Sequence, residues 1–556
     1  MTPTRSAAQS GASSRKTKAS SRPARVAFVG AGPGDPGLVT RRAAEYLAAA
    51  DAVIIDQVSR EDFVRQFARE DVEVVDAGHG EQGQPLTHAS RAKLVVKTAK
   101  ATASDRPHDD GLVVRLMDGD PAVFNGLAEE ALACQKAGVA FEVVPGVSTA
   151  SAVPSYAGIP VTGSKTTGVH VVSGSDTKTD WGSSTSDSVT VVVLGPPEVL
   201  ESALGKLLAA GRSADTPVAL TERGTSTTQV THTTTLGQVG ELMRTQEVKF
   251  PSLAVVGNTV DLRERLSWFE TKPLFGWNVL VPRTKEQAGS MTTRLAHYGA
   301  TSDIVPTISV EPPRTPQQME RAVKGLVTGR YEWIGFTSVN AVKAIREKFV
   351  EFGLDARAFA GLKVAAVGGV TAQALRDWGI EPDLVPAENH SAKGLLEVWP
   401  PYDEVLDPIN RVFLPRADIA TDTLVAGLQD MGWEVDDVTA YRTVRAAPPA
   451  AEVREAIKSG AFDAVCFTSS STVRNLVGIA GKPHPSTVVA CIGPATAKTA
   501  EEHGLRVDVL ASEASAEALV DALADYGVGL LAAAAESGEP VVRPSERRTS
   551  VRRRAK

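Results

Sequence analysis

The chain has 556 residues, of which 42% are hydrophobic, and a net charge of −7; this length predicts three or four globular domains instead of one core. It has no run of about 18 uninterrupted apolar residues, so we expect no membrane-spanning segment. Its three cysteines lack the spacing of metal ligands, which predicts a reducing compartment and no zinc site.

Both chain termini are basic, whereas the body between them is acidic. The first 25 residues carry six Lys or Arg and no acid; residues 534–556 carry seven Lys or Arg and three acids. The remaining body has a net charge of −17, which argues against nucleic-acid binding. Because both ends are Ser-, Arg- and Pro-rich and lack apolar periodicity, we predict disordered tails at 1–24 and 531–556. A Ser/Arg-rich start also occurs in organellar transit peptides, but the absence of an apolar face favours a cytoplasmic protein.

The first predicted elements are a strand, a glycine-rich loop, a helix and a second strand that ends at Asp56. The loop, 30–37, reads Gly-Ala-Gly-Pro-Gly-Asp-Pro-Gly. It does not match the dinucleotide fingerprint, because Asp35 takes the place of the third glycine, and it lacks the Gly-Lys-Ser/Thr of a P-loop. Its two prolines suit a tight bend. A structural turn and a wall for a small ligand at the carboxyl edge of a sheet both remain open.

The next predicted strand, 111–117, ends in Asp118-Gly119-Asp120-Pro121, and a strand at 140–144 leads to Pro145-Gly146. After Pro160 the pattern changes to strands such as 168–173 and 189–194. We therefore predict a boundary between two subdomains near 145–165.

The chain from Trp277 onward contains an internal repeat. Phe336-Thr337-Ser338 returns 131 residues later as Phe467-Thr468-Ser469, and two further motifs return in the same order. Each motif is an apolar run ending in Ser, Thr, Arg or Gly, as expected at the carboxyl end of a parallel strand. Two lobes that aim hydroxyl and N–H groups outward suggest a cleft between them. Capping of the following helices is the alternative role for these Ser and Thr residues.

A set of motifs in the first half carries a family resemblance. These motifs are Val29–Gly37, Val113–Pro121, Glu142–Ser148, Ser155–Pro160, Glu222–Ser226 and Pro251–Gly257. In this order they resemble the tetrapyrrole methyltransferases, above all uroporphyrinogen-III C-methyltransferase, over about 25–270. The resemblance implies an α/β fold of two subdomains, about 25–145 and 146–270, with S-adenosyl-L-methionine in the cleft between them. It also implies a homodimer formed through this half.

The resemblance also implies site residues. Asp56 takes the position of the family's proton acceptor, which fits a pyrrole carbon that attacks a sulfonium methyl and must then lose a proton; a turn residue at a strand end is the alternative. The cofactor wall would comprise Pro33, Asp118, Gly119, Asp120, Val123, Ser148, Thr149, Leu194 and Gly224.

Several positions depart from the family pattern. Met117 replaces a lysine, the segment 124–130 differs, and the lysine that the family uses as proton donor falls at Gly78 or His79. Since the tetrapyrrole carries eight carboxylates, fewer cations would weaken its binding. Two hypotheses therefore stay open: an active methyltransferase, or a non-catalytic domain beside an active second half.

The second half also carries a resemblance. Its motifs are Val279–Arg283, Phe336–Val342, Ala366–Gly368, Leu414–Arg416, Tyr441–Thr443, Phe467–Ser470 and Ile492–Ala497. Together they are similar to uroporphyrinogen-III synthase over about 275–527. The resemblance implies two flavodoxin-like lobes. One lobe comprises 277–308 plus 446–527, and the other comprises 310–440. A two-stranded linker near Tyr441 joins them.

This family closes hydroxymethylbilane into a ring while inverting its fourth pyrrole, without a cofactor or a metal. The reaction needs groups that assist hydroxide departure and hold eight carboxylates in one pose. The resemblance makes Tyr441 the candidate donor to the departing hydroxyl, with packing in the linker as its alternative role. The candidate substrate-binding residues are Arg283, Thr337, Ser338, Thr371, Ser391, Arg416, Thr468, Ser469, Ser470 and Thr496.

The leading hypothesis is a fusion enzyme, because the product of the second half is the substrate of the first. It would make uroporphyrinogen III for heme and methylate it to precorrin-2, toward siroheme and cobalamin. A synthase with a non-catalytic first half is the second hypothesis. A two-lobed protein that binds a carboxylated ligand without turnover is the third.

Overall fold

The computed structural model describes residues 24–56, 61–79, 84–102, 111–245 and 252–547. The chain divides into two compact units, Met1–Gly276 and Trp277–Lys556. The predicted N-terminal tail lies outside the described residues except for Ala24, and so does the end of the C-terminal tail, 548–556.

The first sheet of unit one is parallel, with the strand order β3-β2-β4-β1-β5. Its central strands β1 and β4 are mostly apolar and are buried on both faces beyond Arg25, as expected when helices cover a parallel sheet. The strands are β1 Arg25–Gly30, β2 Ala52–Ile55, β3 Glu73–Asp76, β4 Leu112–Met117 and β5 Phe141–Val144. The helices are α1 Arg41–Ala49, α2 Glu61–Arg65, α3 His88–Ala101 and α4 Leu127–Ala137.

The second sheet of unit one is mixed and has the order β6-β7-β10-β8-β9. The predicted change of pattern after Pro160 corresponds to this separate sheet. Its strands are β6 Gly168–Ser173, β7 Val189–Gly195, β8 Pro217–Glu222, β9 Val230–Thr235 and β10 Ser252–Val256. The helices are α5 Thr149–Tyr156, α6 Pro197–Ala209, α7 Val239–Thr245 and α8 Arg263–Leu266.

Unit two contains two sheets whose strands are interleaved along the chain. The first has the order β12-β11-β18-β19-β20, so it combines the start of the unit with its last third. Its strands are β11 Asn278–Val281, β12 Thr301–Ile304, β18 Ala464–Phe467, β19 Val488–Cys491 and β20 Val509–Leu510. The helices are α9 Lys285–His297, α15 Ala451–Ser459, α16 Ser470–Ala480, α17 Pro494–Glu502 and α18 Ala516–Ser537.

The other sheet of unit two has the order β13-β17-β16-β14-β15. Its strands are β13 Ile308–Glu311, β14 Trp333–Phe336, β15 Lys363–Ala366, β16 Arg411–Ala417 and β17 Glu434–Arg445. The helices are α10 Pro316–Val327, α11 Val339–Glu351, α12 Gly369–Arg376, α13 Ala392–Val398 and α14 Thr423–Asp430. The end of β17 pairs antiparallel with β13, which forms the two-stranded connection.

The internal repeat is visible in the strand order. The repeated motifs form β11, β18 and β19 in one sheet and β16, β14 and β15 in the other, and both triplets are neighbours in that order. The predicted α/β fold class, with a two-domain first half and a two-lobed second half, is confirmed.

The predicted tail from 531 onward needs a correction. Helix α18 continues to Ser537 and ends at Gly538, whose φ of 69° is the left-handed conformation that glycine adopts easily. The Ala- and Leu-rich stretch at 530–535 has high helix propensity, so it extends a helix whose first half is packed. Farther on, the Ser545 N–H donates to Oδ1 of the buried Asp463, 2.9 Å away.

Helix α18 is the one helix in the described part of the chain that is long and apolar enough to cross a membrane. A third of its most apolar window is buried inside the protein. Leu519, Val520 and Leu523, in its first half, are fully buried.

Candidate active sites

Three loops at the carboxyl edge of the first sheet of unit one meet backbone to backbone. The Gly119 N–H donates to the Gly32 oxygen at 2.9 Å, and the Gly32 N–H donates to the Gly119 oxygen at 3.2 Å. A Cβ on Gly30 would lie 2.6 Å from both the Gly119 oxygen and the Gly146 Cα. No side chain fits at this glycine crossing, the point where the three loops meet. Glycines are therefore required for the loops to come this close together.

Asp120 fixes this crossing through its carboxylate. Oδ2 accepts from the Gly146 N–H at 3.1 Å, and Oδ1 accepts from the Ala122 N–H at 2.8 Å. At Gly119, which has a φ of +64°, a Cβ would lie 2.7 Å from the Thr149 Oγ1. The loop after β4 and the start of α5 are therefore in direct contact.

The glycine-rich loop also contacts the second subdomain. The Asp35 N–H donates to the Thr225 Oγ1 at 3.0 Å, and the Tyr156 hydroxyl donates to the Asp35 Oδ2 at 2.8 Å. Burial, together with the hydrogen bond to Asp35, raises the pKa of Tyr156 and keeps the phenol protonated.

The segment that receives this loop is strained. Arg223 and Thr225 have positive φ values of 46° and 65°, which is an outlier for a β-branched threonine. The Thr225 N–H donates to the Gln229 Oε1 at 2.7 Å. Such strain costs about 1–3 kcal/mol per residue and is concentrated at functional sites.

Helix α5 connects the remaining predicted cofactor residues. A Cβ on Gly224 would lie 2.4 Å from Val153 of α5, and Leu194 packs against the buried cluster that contains Ala150 and Val153. The structure thus places the predicted cofactor residues on segments that meet around the start of α5. These residues are Pro33, Asp118, Gly119, Asp120, Val123, Ser148, Thr149, Leu194 and Gly224.

Asp56 is engaged by two arginines. The Arg115 Nη2 lies 2.7 Å from the Asp56 Oδ1, and the Arg91 Nε lies 3.5 Å from the same oxygen. Arg115 also pairs with Glu130 at 2.8 Å, and both side chains are fully buried. Burial opposes the charge of Arg115, but the bonds and charges of Glu130 and Asp56 raise its pKa overall. The two arginines thus hold the Asp56 carboxylate in a fixed position.

Sequence reasoning missed Arg115 and Glu130 as members of this network. The sequence does contain an indication of this network, because Arg115 is a single arginine within the apolar run of β4. A charge inside a fully buried strand needs a partner of opposite charge.

Gly78 and His79 are the two positions at which the family's proton-donor lysine would fall. A Cβ on Gly78 would lie 1.9 Å from the Asp56 backbone oxygen, so no side chain fits there. The neighbouring His79 is half-exposed and faces Asp76, 4.0 Å from Nδ1 to Oδ2. Of the two positions, His79 is therefore the one that has room for a side chain.

In unit two, the Tyr441 hydroxyl lies 2.9 Å from the Ser338 Oγ. Tyr441 belongs to β17, where the register shifts: Arg416 of β16 lies opposite Thr439, whereas Ala417 lies opposite Tyr441. The extra residue is a β-bulge, a feature that redirects a side chain and is common beside active sites. The bulge and Ser338 together set the direction of the Tyr441 hydroxyl.

Several predicted substrate-binding serines cap helices. Ser338, Ser391 and Ser469 accept from N–H groups in the first turns of α11, α13 and α16. Ser470 donates to the Ala495 oxygen at 3.0 Å and accepts from Thr499 at 2.9 Å. Ser338, Ser391 and Ser469 therefore have the helix-capping role that was the alternative to substrate binding. Ser470 instead connects α16 to α17.

The predicted threonines lie beside these caps. Thr337 and Thr468 directly precede Ser338 and Ser469, and Thr371 and Thr496 are buried in the first turns of α12 and α17. These two helices begin at Gly368 and Gly493, which provide no side-chain cap. Uncapped N–H groups in a first turn can bind a carboxylate, although α17 offers fewer of them because it begins with Pro494.

The two predicted arginines differ. Arg416 is buried and pairs with both carboxylate oxygens of Asp437, and its Nη1 donates to the Thr421 oxygen at 2.6 Å. Its guanidinium is therefore already engaged within the lobe, and its role in substrate binding stays a prediction. Arg283, at the end of β11, has no side-chain hydrogen bond or ion pair within the described residues. Burial lowers its pKa, and the charge of Glu517 only partly offsets this effect.

Comparison with known proteins gives each half a family. Residues 25–240 match the model of the tetrapyrrole (corrin/porphyrin) methylases, and residues 289–521 match that of uroporphyrinogen-III synthase HemD. An S-adenosyl-L-methionine-dependent uroporphyrinogen III methyltransferase of Methanosarcina barkeri is 34% identical over 249 residues, 44% of this chain and 94% of that protein. Siroheme synthase 2 of Pectobacterium atrosepticum is 39% identical over 249 residues, but the match covers only 52% of it.

One relative matches both halves at once. The porphyrin biosynthesis protein HemD of Ruminiclostridium josui is 31% identical over 514 residues, which cover 91% of this chain and 98% of that protein. The chain therefore belongs to the HemD family of porphyrin biosynthesis proteins, with a tetrapyrrole methylase domain followed by a uroporphyrinogen-III synthase domain.

Proposed function

We propose that the second half converts hydroxymethylbilane to uroporphyrinogen III and that the first half methylates this product twice to precorrin-2. The observation that carries the synthase assignment is the Tyr441–Ser338 hydroxyl pair, which a β-bulge holds at the carboxyl edge of the sheet.

Tyr441 assists the first step by donating its proton toward the departing hydroxyl. The carbon–oxygen bond of the hydroxymethyl group breaks, water leaves, and the azafulvene cation attacks the substituted carbon of the last ring. The resulting spiro intermediate fragments and recloses, and a ring proton is lost at the end. Ser338 accepts from the Ala341 N–H at 3.1 Å, so its own proton remains available to orient the Tyr441 oxygen.

The substrate carboxylates would bind to groups along the same edges. Arg283 provides a cation, and the first turns of α12 and α17, beside Thr371 and Thr496, provide N–H groups. Holding the chain folded in one pose is the main catalytic requirement, because the unaided reaction closes to the wrong isomer.

S-adenosyl-L-methionine supplies an electrophilic methyl group to the first half. Asp118 and Asp120 place negative charge near the glycine crossing, which suits a sulfonium cation. Asp56, positioned by Arg115 and Arg91, accepts the proton that the methylated pyrrole carbon releases.

This assignment places the protein at a branch point. Uroporphyrinogen III leads to heme, and precorrin-2 leads to siroheme and cobalamin. We further propose a cytoplasmic enzyme that forms a homodimer through its first half.

The methyltransferase assignment can be tested with uroporphyrinogen III and isotopically labelled S-adenosyl-L-methionine. We expect two labelled methyl groups per tetrapyrrole, and we expect Asp120→Ala to abolish cofactor binding in a calorimetric titration. Cofactor binding without methyl transfer, or no binding at all, would leave the synthase as the only active half.

A further inference from the structure

The carboxyl edge of the second sheet of unit two carries alternating polar and apolar side chains. The strands β17, β16, β14 and β15 are neighbours in this order. Tyr441 belongs to the first, Ile419 follows the second, Ser338 follows the third and Val370 follows the fourth. The strands that precede Ile419 and Val370 are about 10 Å apart at normal strand spacing.

Both apolar side chains are exposed beside the polar pair. Ile419 is 69% exposed and Val370 is 78% exposed. A single exposed apolar residue is normal on a protein surface. Here, however, Ile419 lies between the strand of Tyr441 and the strand that leads to Ser338.

The loop that carries Ile419 is fixed from several sides. The Asp418 N–H donates to the Tyr441 oxygen at 3.1 Å, and the Asp418 Oδ1 accepts from the Thr443 N–H at 3.1 Å. At its other end, the Thr421 oxygen accepts from Arg416, which Asp437 holds in a two-oxygen pair. Ordering a loop costs conformational entropy, so these contacts maintain a defined position for the exposed isoleucine.

We propose that Ile419 is a substrate contact that packs on the apolar pyrrole faces, and that Arg416 is the positioning residue for its loop. This inference rests on the proposed synthase function. A tetrapyrrole carries its carboxylates at the periphery, whereas its ring faces are apolar. Hydroxyl and N–H groups bind the periphery but do not remove the ring faces from water. Ile419, with Val370 two strands away, supplies that apolar surface and excludes water from the reacting end.

The test compares Ile419→Ser with Ile419→Leu in steady-state conversion of hydroxymethylbilane. We expect Ile419→Ser to raise KM about tenfold with a smaller change in kcat, because part of an apolar side-chain contact is lost. Ile419→Leu should restore the normal KM. Val405→Ser is the matched control, since Val405 is 91% exposed but precedes the opposite end of β16.

Arg416 is tested through its partner. Asp437→Asn keeps a side chain of the same size and removes the charge that anchors the guanidinium. We expect it to raise KM in the same direction as Ile419→Ser, and we expect the double variant to add little to Ile419→Ser alone.

The outcomes separate this inference from the proposed function. If the unaltered protein forms only the type I isomer, the synthase assignment fails. If it forms type III and Ile419→Ser leaves KM unchanged, the assignment stands and the inference is overturned. A KM effect in Asp437→Asn that adds fully to that of Ile419→Ser would reject the positioning role of Arg416.

Discussion

Tyr441 shows how much a single residue depends on its surroundings. Its identity within Tyr-Arg-Thr made it a candidate from the sequence. Its orientation, however, depends on a register shift in β17 and on the Ser338 hydroxyl, which comes from a segment 103 residues away. No local pattern indicates such a partner.

We expect Tyr441→Phe to lower kcat for type III formation about 100-fold, the typical contribution of a positioned proton donor. Product binding should remain, because the ring is unchanged. Steady-state rates and product titration measure the two effects. Near-normal turnover would reject the role of Tyr441.

The buried Arg115–Glu130 pair allows a second test at this scale. We expect Glu130→Gln to lower the free energy of unfolding of unit one by about 3 kcal/mol, because it removes one charge from a buried pair. Glu129→Gln is the matched control, since Glu129 is exposed one position earlier. Urea unfolding measures both variants. Equal stability of the two variants would show that the pair does not support the sheet.

At the scale of single elements, substitutions at a helix N-cap can distinguish a structural role of the serine from a role in substrate binding. Replacing the N-cap Ser469 by Ala should lower the free energy of unfolding by about 1 kcal/mol, whereas Gly should lower it by only a few tenths. Both changes remove the hydroxyl. A rise in KM shared by both variants would therefore report substrate binding by Ser469. If Ser469 only caps α16, KM stays normal in both.

Two buried thiols in neighbouring strands predict a pH dependence. Burial raises the pKa of Cys466 and of Cys491 to about 12, from a usual value of 9.0. The folded state retains these protons when the unfolded state loses them. Each protonated thiol therefore makes its full contribution to the free energy of unfolding below pH 9. This contribution falls by about 1.4 kcal/mol per pH unit for each thiol up to pH 12.

Urea unfolding of the Cys466→Val variant checks this effect. We expect the variant to lose less stability than the unaltered protein between pH 8 and pH 10.5. An identical loss in both proteins would contradict the prediction.

The sequence predicted the strands better than the end of the chain. The predicted strand at 168–173 coincides with β6, and that at 111–117 begins one residue before β4. Both are apolar runs bounded by Gly, Asp or Ser, which give a clear signal. The last turns of α18 fall within the predicted tail, because the Ser-, Arg- and Pro-rich sequence that follows them lacks apolar periodicity. Their helical state follows from packing of the preceding turns, which composition does not show.

At the scale of the whole molecule, the internal repeat predicted more than any single motif. It placed β11, β18 and β19 in the same relation as β16, β14 and β15. The carboxyl edges of both sheets could then be identified as candidate sites. The partners of charged residues could not be derived in this way, because Arg416 has several acidic neighbours in sequence and only the folded register selects Asp437.

The central claim is that one chain makes uroporphyrinogen III and then methylates it. The most direct measurement supplies the purified full chain with hydroxymethylbilane, with and without S-adenosyl-L-methionine, and identifies the tetrapyrrole by chromatography and mass. We predict the type III isomer without the cofactor and its dimethylated product with it. The type I isomer as the only product under both conditions would contradict the account.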